Sequence, residues 1–225
     1  MYRHVVKRLI DFILSGIAII LLAIPMLIVV LAIKIDDPGP ALFKQRRIGV
    51  NKDGKITYFM IWKFRSMKMS TPHDVPTHLL ENPEQYITRV GKFIRKMSID
   101  ELPQVFQVFS GKLSCIGPRP GLWNQEDLWE ERERYGANDI KPGITGWAQI
   151  NGRDELEIEE KARLDGEYAA AITAGKFKGF VMDWKCFWGT IKAVLKSDSV
   201  VEGGTGEMKK QMESAQEKEV QNIEV

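Results

Sequence analysis

The chain has 225 residues, 44% of them hydrophobic, and a formal net charge of +2. That length and apolar share suit one folded domain or two small ones and exclude wholesale disorder. The small net charge hides an uneven distribution: residues 1–70 carry twelve Lys or Arg against four acids, an excess of eight that suits an anionic surface or anionic substrate.

Phe12 to Ile33 is a run of 22 residues without a charge. At about 1.5 Å per residue it is long enough to span a hydrocarbon core of about 30 Å. A cleaved signal peptide is disfavoured, because Lys34-Ile35-Asp36 follows the run without a small-residue cleavage site. A single-pass anchor and a re-entrant hairpin both fit the residues. Pro25 sits near the middle, lacks an N–H and clashes with the Leu21 carbonyl in a straight helix. The flanks are basic on both sides, with Arg3, Lys7 and Arg8 before and Lys34, Lys44, Arg46 and Arg47 after, so neither crossing direction is preferred.

Asp36-Asp37-Pro38-Gly39-Pro40 marks an exit turn. Residues 41–67 read as a strand pair, with Ile56, Tyr58, Met60, Trp62 and Phe64 in rough alternation and Asn51-Lys52-Asp53-Gly54 as the turn. Ser70 to Pro83 reads as a loop and Ile87 to Lys96 as a short basic helix. Leu102 to Phe109 is a short amphipathic helix that suits either the core or the lipid interface. Leu122 to Tyr135 is a charged helix, Lys141 to Arg153 a glycine-punctuated loop, and Glu155 to Ala174 a further helix. Phe177 to Leu195 mixes Trp184, Phe187 and Trp188 with Lys178, Lys185 and Lys192, which fits a helix resting on a membrane surface. Ser197 to Val225 is polar, without apolar period, and reads as a flexible tail.

The chemistry concentrates in Ser98-Ile99-Asp100-Glu101-Leu102-Pro103-Gln104. Ser98 with Glu101 fits a common capping box, although Pro103 then falls inside the helix, where its ring meets the Ile99 carbonyl. With Asp100 as the cap, Pro103 falls in the first turn and is tolerated. Adjacent carboxylates then sit at the positive end of a helix, which favours an ionised Asp100 and can hold a phosphate. An ionised carboxylate is a competent nucleophile toward phosphorus, and a divalent cation on Glu101 could neutralise the phosphate oxygens. Short segments elsewhere bring cations: Lys63 and Arg65, spaced to reach one face of a strand; Arg95 with Lys96; Arg119, between Pro118 and Pro120; and Arg153. Each alone is an ordinary surface cation, and their weight lies in recurrence. The cysteines, Cys115 and Cys186, lie far apart and read as reduced thiols. His4, His73 and His78 do not cluster, so zinc and a Ser-His-Asp triad have little support. Aromatics do not alternate with the cations, which disfavours nucleic-acid binding.

Taken in order, these blocks resemble the bacterial sugar transferase family, the monotopic phosphoglycosyl transferases, and among them the small PglC-like members. The matching residues are Lys7-Arg8 with Asp11, Pro25, Pro38-Gly39-Pro40, Gln45 with Arg47 and Gly49, Lys63 to Met67 and Thr88 to Gly91. They continue through Asp100 to Gln104, Gly117 to Pro120, Pro142 to Gln149, Asn151-Gly152-Arg153, and then Asp165 and Tyr168. The resemblance implies an α+β fold. Residues 1–35 would form a re-entrant membrane helix hairpin. Residues 36–196 would form a mostly helical catalytic domain with a small β-hairpin and interfacial amphipathic helices, and residues 197–225 a polar tail.

The resemblance also implies a ping-pong reaction on the cytoplasmic face of the bacterial inner membrane. Asp100 attacks the sugar-proximal phosphate of a UDP-sugar, UMP leaves, and polyprenyl (undecaprenyl) phosphate takes the phospho-sugar from Asp100. Glu101 would bind magnesium, with manganese as the substitute. Lys63, Arg65, Arg95, Arg119, Gln149 and Arg153 are the candidate phosphate and nucleotide contacts, and anionic lipid is a further partner. Two rival readings carry over from the residues alone. One is an anchored binding or assembly factor for polysaccharide synthesis; the other is a magnesium-dependent membrane phosphatase. The sugar, the glycan, and the choice between monomer and homodimer are not encoded in any motif found.

Overall fold

The structure, a computed structural model, describes residues 2–52, 54–71, 83–152 and 156–195. Most of the loop expected at Ser70 to Pro83, Arg153 and the tail Ser197 to Val225 lie outside the described residues.

A π-helical entry, Tyr2–Val6, leads into helix α1, Lys7–Asp36. Among the described residues α1 is the helix long and apolar enough to cross a membrane. It runs through Pro25 as one element, so the expected hairpin is not present as two separate helical arms. A proline is tolerated within a helix in apolar surroundings, and Pro25 lies on the exposed side of α1. Lys7, Asp11, Ser15, Met26 and Ile33 form a buried stripe on one side, while Ile20, Leu21 and Ile24 are 77%, 71% and 72% exposed on the other. The stripe follows helical spacing, so one face packs on protein and the opposite face is bare and apolar.

Both ends of α1 are tied to the same domain. At the start, Lys7 Nζ lies 3.0 Å from Asp183 Oδ2, and Ser114 Oγ donates to Asp11 Oδ2 at 2.7 Å. Phe12 stacks on Phe109 with ring centroids 4.5 Å apart. At the finish, Asp36 accepts from the Val90 N–H at 2.9 Å, and Asp37 accepts from Arg65 and, at 2.9 Å, from the Met69 N–H.

The expected hairpin forms from β1, Leu42–Ile48, and β2, Tyr58–Phe64, antiparallel with Leu42 opposite Phe64 and Ile48 opposite Tyr58. Gly54 takes φ +72° in the connecting turn, a conformation glycine adopts without a Cβ penalty. Helix α2, Arg89–Lys96, is capped by the Thr88 hydroxyl, which accepts from the Gly91 N–H at 2.8 Å. Helix α3, Gln104–Phe109, docks on β2 through Gln107: its carbonyl oxygen accepts from the Trp62 N–H at 2.9 Å, and its amide donates to the Met60 carbonyl at 2.6 Å. A buried glutamine thus completes the strand edge that β1 leaves open.

The segment expected as a glycine loop from Lys141 to Arg153 contains a strand and a helix instead. Strand β4, Gly143–Thr145, pairs in parallel with β3, Ser114–Ile116, and α5, Trp147–Asn151, follows. The glycines there serve close approach: a Cβ on Gly143 would lie 2.2 Å from the Gly117 nitrogen. The charged helix α4 is shorter than expected, Glu126–Glu133, and is followed by a turn at Gly136, φ +65°. Helices α6, Ile158–Thr173, and α7, Lys176–Leu195, close the fold. Tyr2, Ile116, Tyr168, Ile172 and Cys186 form the core between them. On α7, Trp184 meets Phe180, Phe187 and Trp188 in a run of exposed ring contacts.

Candidate active site

Chain direction at the site is set by Ser98, the one non-glycine residue with positive φ (+53°) among the described residues. Its left-handed backbone ends α2 and starts a tight 3-10 turn, Ile99–Glu101. Such a conformation is costly for a residue with a Cβ and persists where packing holds it. Packing does so here: Ile99 and Leu102 rest on the cluster of Met26, Ile33, Ala41, Phe64 and Ile94, which joins α1 to β2 and α2. Ser98 makes no side-chain capping bond, and α3 begins at Gln104, directly after Pro103. Neither the capping box nor Asp100 as a helix cap is observed. The carboxylates sit inside the 3-10 turn, and Pro103 takes the place before the helix where its missing N–H costs nothing.

Asp100 is buried, 3% exposed. Lys63, near the end of β2, places Nζ 3.0 Å from Glu101 Oε1 and 3.9 Å from Asp100 Oδ2. Arg119 Nη2 donates to the same Glu101 oxygen at 2.9 Å. Burial by itself raises the Glu101 pKa, but the charges of Arg119 and then Lys63 outweigh it and hold the carboxyl well below the usual carboxylate range. The side chains of Lys63, Glu101 and Arg119 are 11%, 15% and 28% exposed against 4% for Asp100, so the open side of the site is the Arg119 side.

The fold therefore assembles Lys63, Asp100, Glu101 and Arg119 from β2, the 3-10 turn and the segment after β3. Arg95 lies on α2, with Nη1 3.5 Å from Ser66 Oγ. Gln149 lies at the base of the Arg119 segment: a Cβ on Gly146 would be 2.2 Å from the Gly117 oxygen and 2.9 Å from Gln149 Oε1. Both side-chain polar atoms of Gln149 are buried without a hydrogen-bond partner among the described residues, as is Nε2 of Gln104. Arg65 is a correction. Its guanidinium binds Asp37 and, at 2.7 Å, the Pro40 carbonyl, so it ties the exit of α1 to the hairpin and does not join Lys63 at the carboxylates. Short-range spacing predicted reach along a strand but not the partner waiting at the end of α1. Sequence reasoning also passed over Arg47 and Arg132, which hold the Arg119 segment. Arg47 was visible as part of a matched block, whereas nothing local distinguished Arg132 within its charged helix.

Among the described residues no group of three or more His, Cys, Asp or Glu comes together. Asp100 and Glu101 are the oxygen donors at the site. They fit magnesium, which binds through one or two carboxylates completed by water and substrate phosphates.

Lys63 and Arg119 thus meet the paired carboxylates Asp100 and Glu101 in a chain that also carries a helix long and apolar enough to cross a membrane. The chain belongs to the bacterial sugar transferase family, whose profile matches residues 2–197. It is 40% identical over 195 residues to the UDP-glucose:undecaprenyl-phosphate glucose-1-phosphate transferase of Escherichia coli K12, covering 80% of this chain and 41% of that protein. It is 36% identical over 196 residues to the uncharacterized sugar transferase EpsL of Bacillus subtilis 168, covering 87% of this chain and 90% of that one. A third relative, 40% identical over 149 residues, is the UDP-N-acetylgalactosamine-undecaprenyl-phosphate N-acetylgalactosaminephosphotransferase of Aeromonas hydrophila, with 64% of this chain and 34% of that protein covered. The chain thus spans less than half the length of the first and third relatives and most of the second.

Proposed function

We propose that this chain moves a sugar-1-phosphate from a UDP-sugar to undecaprenyl phosphate, with Asp100 as nucleophile. The relatives' named reactions support the substrate classes. The observation that carries the reading is the position of the Asp100–Glu101 turn. Its polar side meets Lys63 and Arg119, and its apolar neighbours Ile99 and Leu102 rest on the membrane helix. A soluble donor and a lipid acceptor can both reach one phosphorus there.

A carboxylate oxygen of Asp100 bonds to the sugar-proximal phosphorus, and the bond to the bridging oxygen breaks with its electron pair leaving on UMP. An oxygen of the lipid phosphate then attacks the same phosphorus, and the Asp100 carboxylate departs with its pair. A covalent intermediate lets the two substrates visit in turn. Lys63 and Arg119 neutralise the diphosphate by exchanging Glu101 for phosphate oxygens, which also uncovers Asp100. Arg95, Gln149 and Arg153 contact the rest of the donor. Glu101 would hold magnesium, which when bound supplies further charge neutralisation at the phosphates.

In full-length protein in nanodiscs, Asp100→Asn is expected to abolish UMP release, and wild type with donor alone is expected to gain the mass of a phospho-sugar. An active Asp100→Asn variant removes Asp100 as nucleophile. Hydrolysis of the adduct by water as fast as its transfer to lipid favours a phosphatase.

The re-entrant placement, with the catalytic domain at residues 36–196 on the cytoplasmic face, is part of the same reading. Bonds from both ends of α1 to one domain support it, because a spanning helix would carry one end to the far side of the bilayer. The exposed aromatic run of α7, flanked by Lys178, Lys185 and Lys192, supports contact with anionic lipid. Cysteines introduced singly at His4 and Ile35 are expected to be protected alike from an impermeant reagent added outside intact cells. Labelling at one position only defeats this topology.

A further inference from the structure

Four successive carbonyls around Arg119 are held from three parts of the chain, β4, α4 and two neighbouring residues of β1. The Pro118 carbonyl accepts from the Gly143 N–H at 3.0 Å, and the Gly121 carbonyl from the Ile48 N–H at 3.0 Å. Between them, the Arg119 carbonyl accepts from Arg132 Nη2 at 2.9 Å, and the Pro120 carbonyl from Arg47 Nη1 at 3.2 Å. Two arginine side chains therefore pin the backbone on either side of one peptide unit. The flanking prolines fix φ at their own positions, so little freedom remains for Arg119 except in its side chain.

Arg132 is the more revealing of the two. It is buried on α4, and its Nε and Nη2 both donate to Asp165 Oδ2 on α6, with Nε at 2.9 Å and Nη2 at 2.5 Å. Asp165 is fully buried, and its other oxygen has no hydrogen-bond partner among the described residues. A buried ion pair with an orphan oxygen is poor value for stability alone, since well-packed apolar side chains commonly do as well or better. What such side chains cannot supply is the donor that reaches the Arg119 carbonyl.

We propose that Arg132, braced by Asp165, is a positioning residue that aims the Arg119 guanidinium at Glu101 and at the phosphates that compete with Glu101. This rests on the reading in the preceding section. The line of contact runs from Asp165 to Arg132, through the Arg119 backbone and side chain, to Glu101 beside Asp100. Displacing a phosphate-binding group by about 1 Å costs about a hundredfold in rate, so a loss of that size is expected when the tether is cut.

The test is the double substitution Arg132→Met with Asp165→Leu, which removes the tether and replaces the ion pair by apolar packing. Full-length variants in nanodiscs are assayed for UMP release with undecaprenyl phosphate and with UDP-glucose and UDP-N-acetylgalactosamine as donor probes. Thermal unfolding within a few degrees of wild type is expected, with kcat lowered about a hundredfold. Adding Arg119→Ala to that pair is expected to lower kcat no further than Arg119→Ala alone. A merely structural pair predicts that activity returns with stability, and activity within threefold of wild type overturns the proposal. Losses that multiply in the triple variant overturn it as well. Should the double variant not fold, Arg132→Lys, which keeps the charge, takes its place under the same criteria. A wild-type protein that releases no UMP from either donor sinks the underlying reading, whereas an active wild type with an equally active variant sinks this inference alone.

Discussion

Two buried aspartates, each near a lysine, are paired in different ways. Asp183 on α7 is fully committed: Oδ2 accepts from the Tyr2 hydroxyl at 2.7 Å and from Lys7 Nζ at 3.0 Å, and Oδ1 accepts from the Tyr168 hydroxyl at 2.7 Å. One negative charge meets one positive charge, and hydroxyls satisfy what is left. At Asp100 a second carboxylate follows in the chain, and two cations converge on a single oxygen of Glu101. The first arrangement is closed, and adding a ligand would break it. The second crowds two cations onto one acceptor, and in the proposed reaction an incoming diphosphate would compete with Glu101 for them. Counting donors against acceptors thus separates the carboxylate of Asp183 from the one proposed as nucleophile where burial alone does not.

Substitution at the two aspartates should separate these roles most strongly. Asp100→Asn should leave thermal unfolding close to wild type while removing turnover. Asp183→Ala strands Lys7 in the interior and should cost about 3–5 kcal/mol of stability, the usual effect of breaking a buried ion pair. The fraction of Asp183→Ala that remains folded should keep a kcat within a few-fold of wild type. Full stability in that variant, or a selective loss of turnover, would erase the distinction drawn between the two sites.

The same contrast explains what could be read from the chain beforehand. Asp100, Glu101, Lys63 and Arg119 were legible because each sits in a short block whose residue types only make sense together. The hairpin of β1 and β2 was legible from alternation and a turn with Gly54. Asp183, Tyr2 and Lys7 were not, because their meeting depends on a separation of 176 residues between Lys7 and Asp183 that no local pattern encodes. Arg65 was misassigned for the same reason: its partner Asp37 lies at the far end of a helix whose path the sequence leaves open. The strand β4 was hidden because its glycines look like loop residues until the close approach to Gly117 is seen. Continuity of α1 through Pro25 was left open, since proline predicts a lost hydrogen bond but does not by itself end a helix in apolar surroundings.

The mildest expected effect uses the cysteines as reporters of the closed region. Both are free thiols. Cys186 lies three residues beyond Asp183, and the Cys115 N–H donates to Asp11 Oδ1 at 3.0 Å. Burial first, and then the nearby charge of Asp11 for Cys115 and of Asp183 for Cys186, pushes both thiols from an ordinary value of 9.0 up to about 12. The thiolate is the reacting species, so iodoacetamide at pH 8 should leave both cysteines of the folded protein unmodified and label both after denaturation, as read by intact mass. The sign of the linked stability follows. The folded state prefers the protonated thiol, so its contribution is intact below about 9 and is lost as pH rises toward about 12. Asp183→Ala removes the carboxylate charge near Cys186 and should speed its labelling, whereas Asp100→Asn should not. Equal labelling in the two variants would mean that the region around Asp183 is not the closed one.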